Sequence, residues 1–136
     1  MRPGVDPRHA GTLSAALALL LLPVPAAVAR EAVRLVCEPR TFEVVAGQPV
    51  RAELTVEADS ADPIRLRIPA DPALVLRAVE KPPVHRTRDG VIVHRRVVIW
   101  QALRPGIVKL TDITVETRGQ KWTFPEITIR VREAGP

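Results

Sequence analysis

The strongest constraint on this chain's fold is a two-residue rhythm. From Val50 to Ala58 every even position is apolar, and the odd positions between them are Arg51, Glu53, Thr55 and Glu57. That is the pattern of a strand with one face in a core and the other in water. Ile64-Arg65-Leu66-Arg67-Ile68 repeats it after the turn Asp59-Ser60-Ala61-Asp62-Pro63. Proline supplies the punctuation. It removes a hydrogen bond from a helix interior and clashes with the preceding turn, so 14 prolines in 136 residues leave little room for helices. No stretch carries a capped apolar stripe at helical spacing.

Further strands are expected over Val33 to Cys37 and Thr41 to Val45, broken at Glu38-Pro39, and over Leu74 to Glu80. A polar loop should run from Lys81 to Gly90, followed by the long β-branched segment Val91 to Trp100. Ile107 to Leu110, Ile113 to Thr117 and Lys121 to Val131 complete the set, with Arg118-Gly119-Gln120 closing a hairpin. About seven or eight short strands joined by turns predict an all-β chain, an antiparallel sandwich of immunoglobulin-like type. The absence of tyrosine removes the tyrosine corner common in such domains.

Two places break the rhythm. Val91, Val93, Val97 and Ile99 are in phase, but Arg95 shares their parity. An unpaired buried guanidinium is too costly, so Arg95 must lie at a bulge, at an edge or beside a carboxylate. In the last segment Trp122 and Phe124 have one parity and Ile127, Ile129 and Val131 the other. The switch falls at Pro125-Glu126, where a bulge or a strand changing sheets would restore one buried face. Proline there also implies a sheet edge.

Residues 1–29 read as a secretory leader. Arg2 and Arg8 give a positive start, Leu13 to Leu22 an apolar run, Pro23 and Pro25 a break, and Ala27-Val28-Ala29 a small-x-small cleavage pattern before Arg30. The run is about ten residues, short of the roughly 20 that span a bilayer; the alternative is an uncleaved N-terminal anchor. Cys37 lies too far beyond the run to belong to a lipobox. Cleavage leaves 136 − 29 = 107 residues, with 18 Lys+Arg and 14 Asp+Glu, a net +4. The expected product is one soluble domain, residues 30–136, in the periplasm or secreted.

Several landmarks in order carry a family likeness. They are Cys37-Glu38-Pro39, Val44-Val45-Ala46-Gly47-Gln48-Pro49-Val50, Leu103-Arg104-Pro105-Gly106-Ile107, Leu110-Thr111-Asp112-Ile113-Thr114-Val115, Gly119-Gln120-Lys121-Trp122 and Pro125-Glu126-Ile127-Thr128-Ile129. Over Val33 to Val131 the sequence resembles an immunoglobulin-like repeat domain of the bacterial BatD family of oxygen-tolerance (aerotolerance) proteins. Members are longer, with several such domains and a C-terminal membrane segment. The resemblance brings no catalytic residues. It implies an assembly or scaffold role among envelope proteins, with von Willebrand-type membrane proteins and a MoxR-type ATPase system as neighbours.

The residues give little chemistry to set against that. Ser60 sits in an acidic turn without the glycine-flanked elbow of a hydrolase nucleophile. Cys37 follows Leu35-Val36 and reads as a buried core thiol, an intermolecular disulfide being the alternative. His85, His94 and Cys37 lack metal-ligand spacing, and Asp59 and Asp62 read as a solvated turn. No catalytic residue, metal or cofactor is expected. The densest feature is basic: Lys81, His85, Arg86, Arg88, His94, Arg95 and Arg96. These residues form a candidate patch for an anionic membrane surface or acidic polymer. Compositional bias competes with that reading, since 17 of the 20 basic residues are arginine. Nucleic acid is not expected, because the stretch has no stacking aromatics. Trp122 and Phe124 are candidate contacts on an edge strand, where Lys121 to Val131 or Val33 to Val45 could pair with a partner's strand. The expectation is a non-enzymatic, exported protein-interaction or scaffold module with an envelope protein as its partner.

Overall fold

The computed structural model describes residues 33–135; the expected leader and its cleavage site lie outside them. Eleven strand segments follow one another: β1 (Val33–Glu38), β2 (Thr41–Val45), β3 (Pro49–Ala58), β4 (Arg65–Arg67), β5 (Leu74–Glu80), β6 (His85–Arg86), β7 (Ile92–Ala102), β8 (Gly106–Leu110), β9 (Thr114–Thr117), β10 (Gln120–Thr123) and β11 (Ile127–Arg132). Every proline in the described region lies between segments, except Pro49, which opens β3. A strand's first residue and its flanks are where a missing amide costs least.

One sheet has the order β1-β3-β7-β5, with β6 also on β7. The alternation in β3 behaves as expected: Val50, Ala52, Leu54, Val56 and Ala58 are all buried. The register then assigns β7. Val50 faces Trp100, Ala52 faces Val98, Val56 faces His94 and Ala58 faces Ile92. The even residues of β7 therefore look into the core. Val93, Arg95, Val97 and Ile99 look to the other side, and Val93 and Val97 are nevertheless buried. Of the three possibilities for Arg95, the carboxylate is realised: its Nη2 lies 2.8 Å from Glu53 Oε1 on neighbouring β3.

The second layer consists of β2-β11-β8 and β10-β9-β4. β8 and β9 are halves of one strand, and β10 and β11 halves of the next. Thr123 faces Thr114 and Ile127 faces Leu110, so residues 111–113 and 124–126 separate the halves with no change of register. Inside that gap the Phe124 amide donates to the Ile113 carbonyl at 2.8 Å. Buried residues change parity on both strands at this level: Leu110 gives way to Ile113 and Phe124 to Ile127. Of the two expected solutions at Pro125-Glu126, the chain uses a change of sheet, made by both strands in step, and not a bulge. The expected edge is found on the β10 side, since β10 is the outer strand of its sheet, but not on the β11 side, where β11 is flanked by β2 and β8.

The hairpin tip is tightly specified. Thr117 faces Gln120, leaving Arg118 and Gly119 as the turn with φ of 52° and 75°. Positive φ at both central residues is the signature of a type I′ turn, whose twist matches the strands it joins.

At the other end of the chain, β1 pairs antiparallel with β3. The chain then crosses at the cis Glu38–Pro39 peptide, and β2 joins the other layer, parallel to β11. One core unites the layers: Leu54, Val98 and Trp100 pack with Val108, Ile113, Val115, Phe124, Ile127 and Ile129. With β5–β6, β8–β9 and β10–β11 each counted as one strand, the order is that of an immunoglobulin-like sandwich, four strands against three, with β2 as a crossing piece of the first strand.

Trp100 is 2% exposed and Ile107 59%. Trp100→Ala should therefore cost about 3–5 kcal/mol of unfolding free energy, and Ile107→Ala no more than about 0.5 kcal/mol. Urea unfolding of the two variants measures both.

Candidate functional site

Alternate side chains on a strand face opposite ways, and this disperses the basic stretch. His85, Arg86 and Arg88 are exposed, on β6 and in the turn after it, where the Gly90 amide donates to the Thr87 carbonyl at 3.0 Å. Arg95 is committed to Glu53 on the outer face of the first sheet. His94 is 2% exposed, with Nε2 3.4 Å from the Ser60 carbonyl oxygen. It faces the core and is withdrawn from the patch, because a ring buried between sheets cannot meet a surface ligand. Arg96 also turns to the core side, near its margin. Its Nη1 donates to the Arg95 carbonyl at 2.8 Å, and burial pushes the guanidinium pKa down. Lys81 is exposed at the end of β5.

The aromatic pair is divided as well. Trp122 is half-buried on β10 and packs against the core. Phe124 is 3% exposed and is corrected from edge contact to core residue. Both candidate edge segments contain outer strands: Val33 to Val45 supplies β1 and β2, and Lys121 to Val131 supplies β10, although its β11 part is an inner strand.

The residues examined for chemistry are in structural use. Ser60 Oγ accepts from the Asp62 amide at 3.4 Å, and Asp62 Oδ2 lies 2.6 Å from Arg118 Nε. Cys37 is buried, its thiol 3.6 Å from the Pro39 carbonyl oxygen. Burial raises its pKa to about 11, against the opposing pull of Arg40 and with a smaller push from Glu38. Among the described residues, no three of His, Cys, Asp and Glu gather to hold a metal ion.

A cleft that the sequence did not announce opens between β4 and β5. Ile64, Leu66, Ile68, Leu76 and Val79 line it, with Arg65, Lys81 and Arg96, and its volume is about 470 Å³. It adjoins a hollow of about 150 Å³ bounded by Pro69, Leu74 and Trp100, with Ile68 and Leu76 common to both. The cause is topological. β4 ends its sheet and β5 lies at the rim of the other, so the layers gape along this side. β4 is only three residues long, and Pro63 and Pro69 prevent it from growing.

A bulge shapes the far wall. Leu76 faces Trp100, yet Ala78 faces Ile99 and Val79 faces Val98, so Arg77 is the extra residue. The Arg77 guanidinium turns away to Gln101, with Nε 2.9 Å from Oε1. Without the bulge, Ala78 and Glu80 would follow Leu76 on the inner face. With it Val79 takes that place, and Glu80 faces outward, 3.9 Å from Arg51. The bulge thus makes the wall apolar and keeps a carboxylate out of it.

No protein-family model matches this chain. No curated protein matches it either. The chain is similar to a solved structure, the BIgI domain of the beta protein from S. agalactiae bound to CEACAM1, at 14% identity and a TM-score of 0.46, over 76% of this chain and 100% of that one. What makes the present chain immunoglobulin-like is its own strand order, described above.

Cys37 offers a direct check on the core. The thiol should resist an alkylating reagent at neutral pH in the folded protein and react once guanidinium unfolds it. Its pKa rises from 9.0 to about 11 on folding, so the folded state holds the proton more tightly. Stability should fall as pH climbs through that interval. Cys37→Ala should flatten that part of the profile, as read by denaturant midpoints across the same pH range.

Proposed function

We propose that this chain is a non-enzymatic, exported protein-interaction module that serves as a scaffold in the cell envelope in the manner of a BatD-like domain. The observation that carries the reading is the open margin of the sandwich. The core is not sealed between β4 and β5, where Leu76 is 45% exposed and Ile64, Leu66, Ile68 and Val79 are only half-buried. Exposed apolar surface beside an unfilled sheet flank is what a docking partner covers.

Cys37 is buried and protonated at neutral pH, and Ser60 is engaged in its turn, so neither offers a nucleophile. An anionic membrane gripped by the whole basic stretch is a weaker reading, because His94 is in the core and Arg95 is paired with Glu53. The expected leader and the BatD resemblance are the support for the exported location and the scaffold role.

Cross-linking in envelopes of the source bacterium, followed by capture of the tagged chain, tests this. One envelope protein should be recovered in constant stoichiometry with the chain. A chain that stays monomeric and uncross-linked in its own envelope would overturn the reading.

A further inference from the structure

The seam between β4 and β5 has three properties that together specify an occupant. The first is its backbone. Among the described residues β4 pairs with β9 and with no other strand, so the flank of Ile64–Ile68 has room for one more strand. An outer strand with unpaired amides and carbonyls is a template for an extended chain. The second is the apolar floor of Leu66, Ile68, Leu76 and Val79 beneath that flank. A strand laid there turns every second side chain down onto it.

The third property is charge. Arg65 and Arg67 face the outer side of β4, since Leu66 between them faces core residue Val115. Lys81 and Arg96 stand at the cleft itself, and Arg65 also reaches its rim. Among the described residues none of these four cations has a carboxylate within ion-pair distance, whereas Arg34, Arg51, Arg95 and Arg118 each do. Acids close by are directed elsewhere. Glu80 is turned outward by the bulge, and Asp71 Oδ1 accepts from the Ala73 amide at 2.8 Å. Glu116 faces Arg65 in register on β9, half-buried, and leaves the excess positive.

We infer that the seam takes an extended segment of a partner protein in which aliphatic residues alternate with aspartate or glutamate, added as a strand along β4. The aliphatic side chains fill the cleft over Leu66, Leu76 and Val79. The carboxylates on the other side meet Arg65 and Arg67, and one at the end of the segment reaches Lys81 and Arg96. A symmetric β4–β4 pairing of two copies is opposed by like charge, because two β4 strands side by side set arginine against arginine. This inference rests on the interaction-module reading and specifies the chemistry of the partner.

A capped peptide of alternating glutamate and valine is the probe, titrated into the isotope-labelled full chain. Resonances of Leu66, Leu76, Val79 and Arg96 should shift, and binding should weaken with salt. Arg65→Glu with Arg67→Glu, both at exposed positions, should weaken binding roughly tenfold while the spectrum of the core stays in place. The same variant should gain affinity for a lysine–valine peptide, a result that loss of folding could not give.

Three results overturn the inference: no shift at the seam, equal binding of the lysine–valine peptide to the unaltered chain, or phosphatidylglycerol vesicles occupying the seam where the peptide does not. A stoichiometric envelope complex that survives the charge reversal also overturns it, and leaves the interaction-module reading standing.

Discussion

Ten successive antiparallel pairs, from Pro49↔Gln101 to Ala58↔Ile92, tie β3 to β7. A slip of one residue would send Val98 and Trp100 to the outside and bring Arg95 and Val97 in. Val50 faces Trp100 and Ala52 follows it on the same inner face of β3, so two modest side chains lie beside the large ring. The rest of the first sheet is assembled on this ladder. β1 covers one side of β3, β5 and β6 share the other side of β7, and the outward Arg95–Glu53 pair spans the junction without entering the core.

The two irregular places keep the interior apolar by different means. In β5 one extra residue, Arg77, exchanges Ala78 and Glu80 for Val79 on the inner face. In the β8–β11 hairpin nothing is added. Both strands lose their ladder over residues 111–113 and 124–126 and resume it in the same register with the other face inward. A single bulge shifts the pairing of everything beyond it. The double interruption does not, which lets the hairpin tip keep its two-residue turn while its base packs against β2.

β3 was legible in the sequence because only one of its faces is dry. β7 was legible as a strand but its inward face was not, because both faces are apolar: Val93 and Val97 make as good a core stripe as Val98 and Trp100, and only the partner strand decides. The short β6 was hidden inside what read as a polar loop, because His85 and Arg86 are both polar and too few to alternate, and their partners Val93 and Ile92 lie on another strand. Seven basic residues close in sequence looked like one patch, but strand alternation sends His94 and Arg95 to opposite faces. The cleft escaped notice for the opposite reason. Its walls come from residues 64–68, 76–81 and 96, which share no local pattern, and its shape depends on a bulge that Leu76-Arg77-Ala78-Val79 does not signal.

The crossing at Pro39 has a mechanical side. It lays β2 parallel to β11 over five residue pairs, and these are the strands of the second layer nearest the two ends of the described chain. Tension applied upstream of β1 and downstream of β11 meets the pairs between β1 and β3 first. Beyond that point the load runs along β2 and β11 in opposite directions, so their hydrogen bonds are sheared together instead of being opened in turn. A domain strung between two anchored neighbours would then resist extension through whole ladders at once.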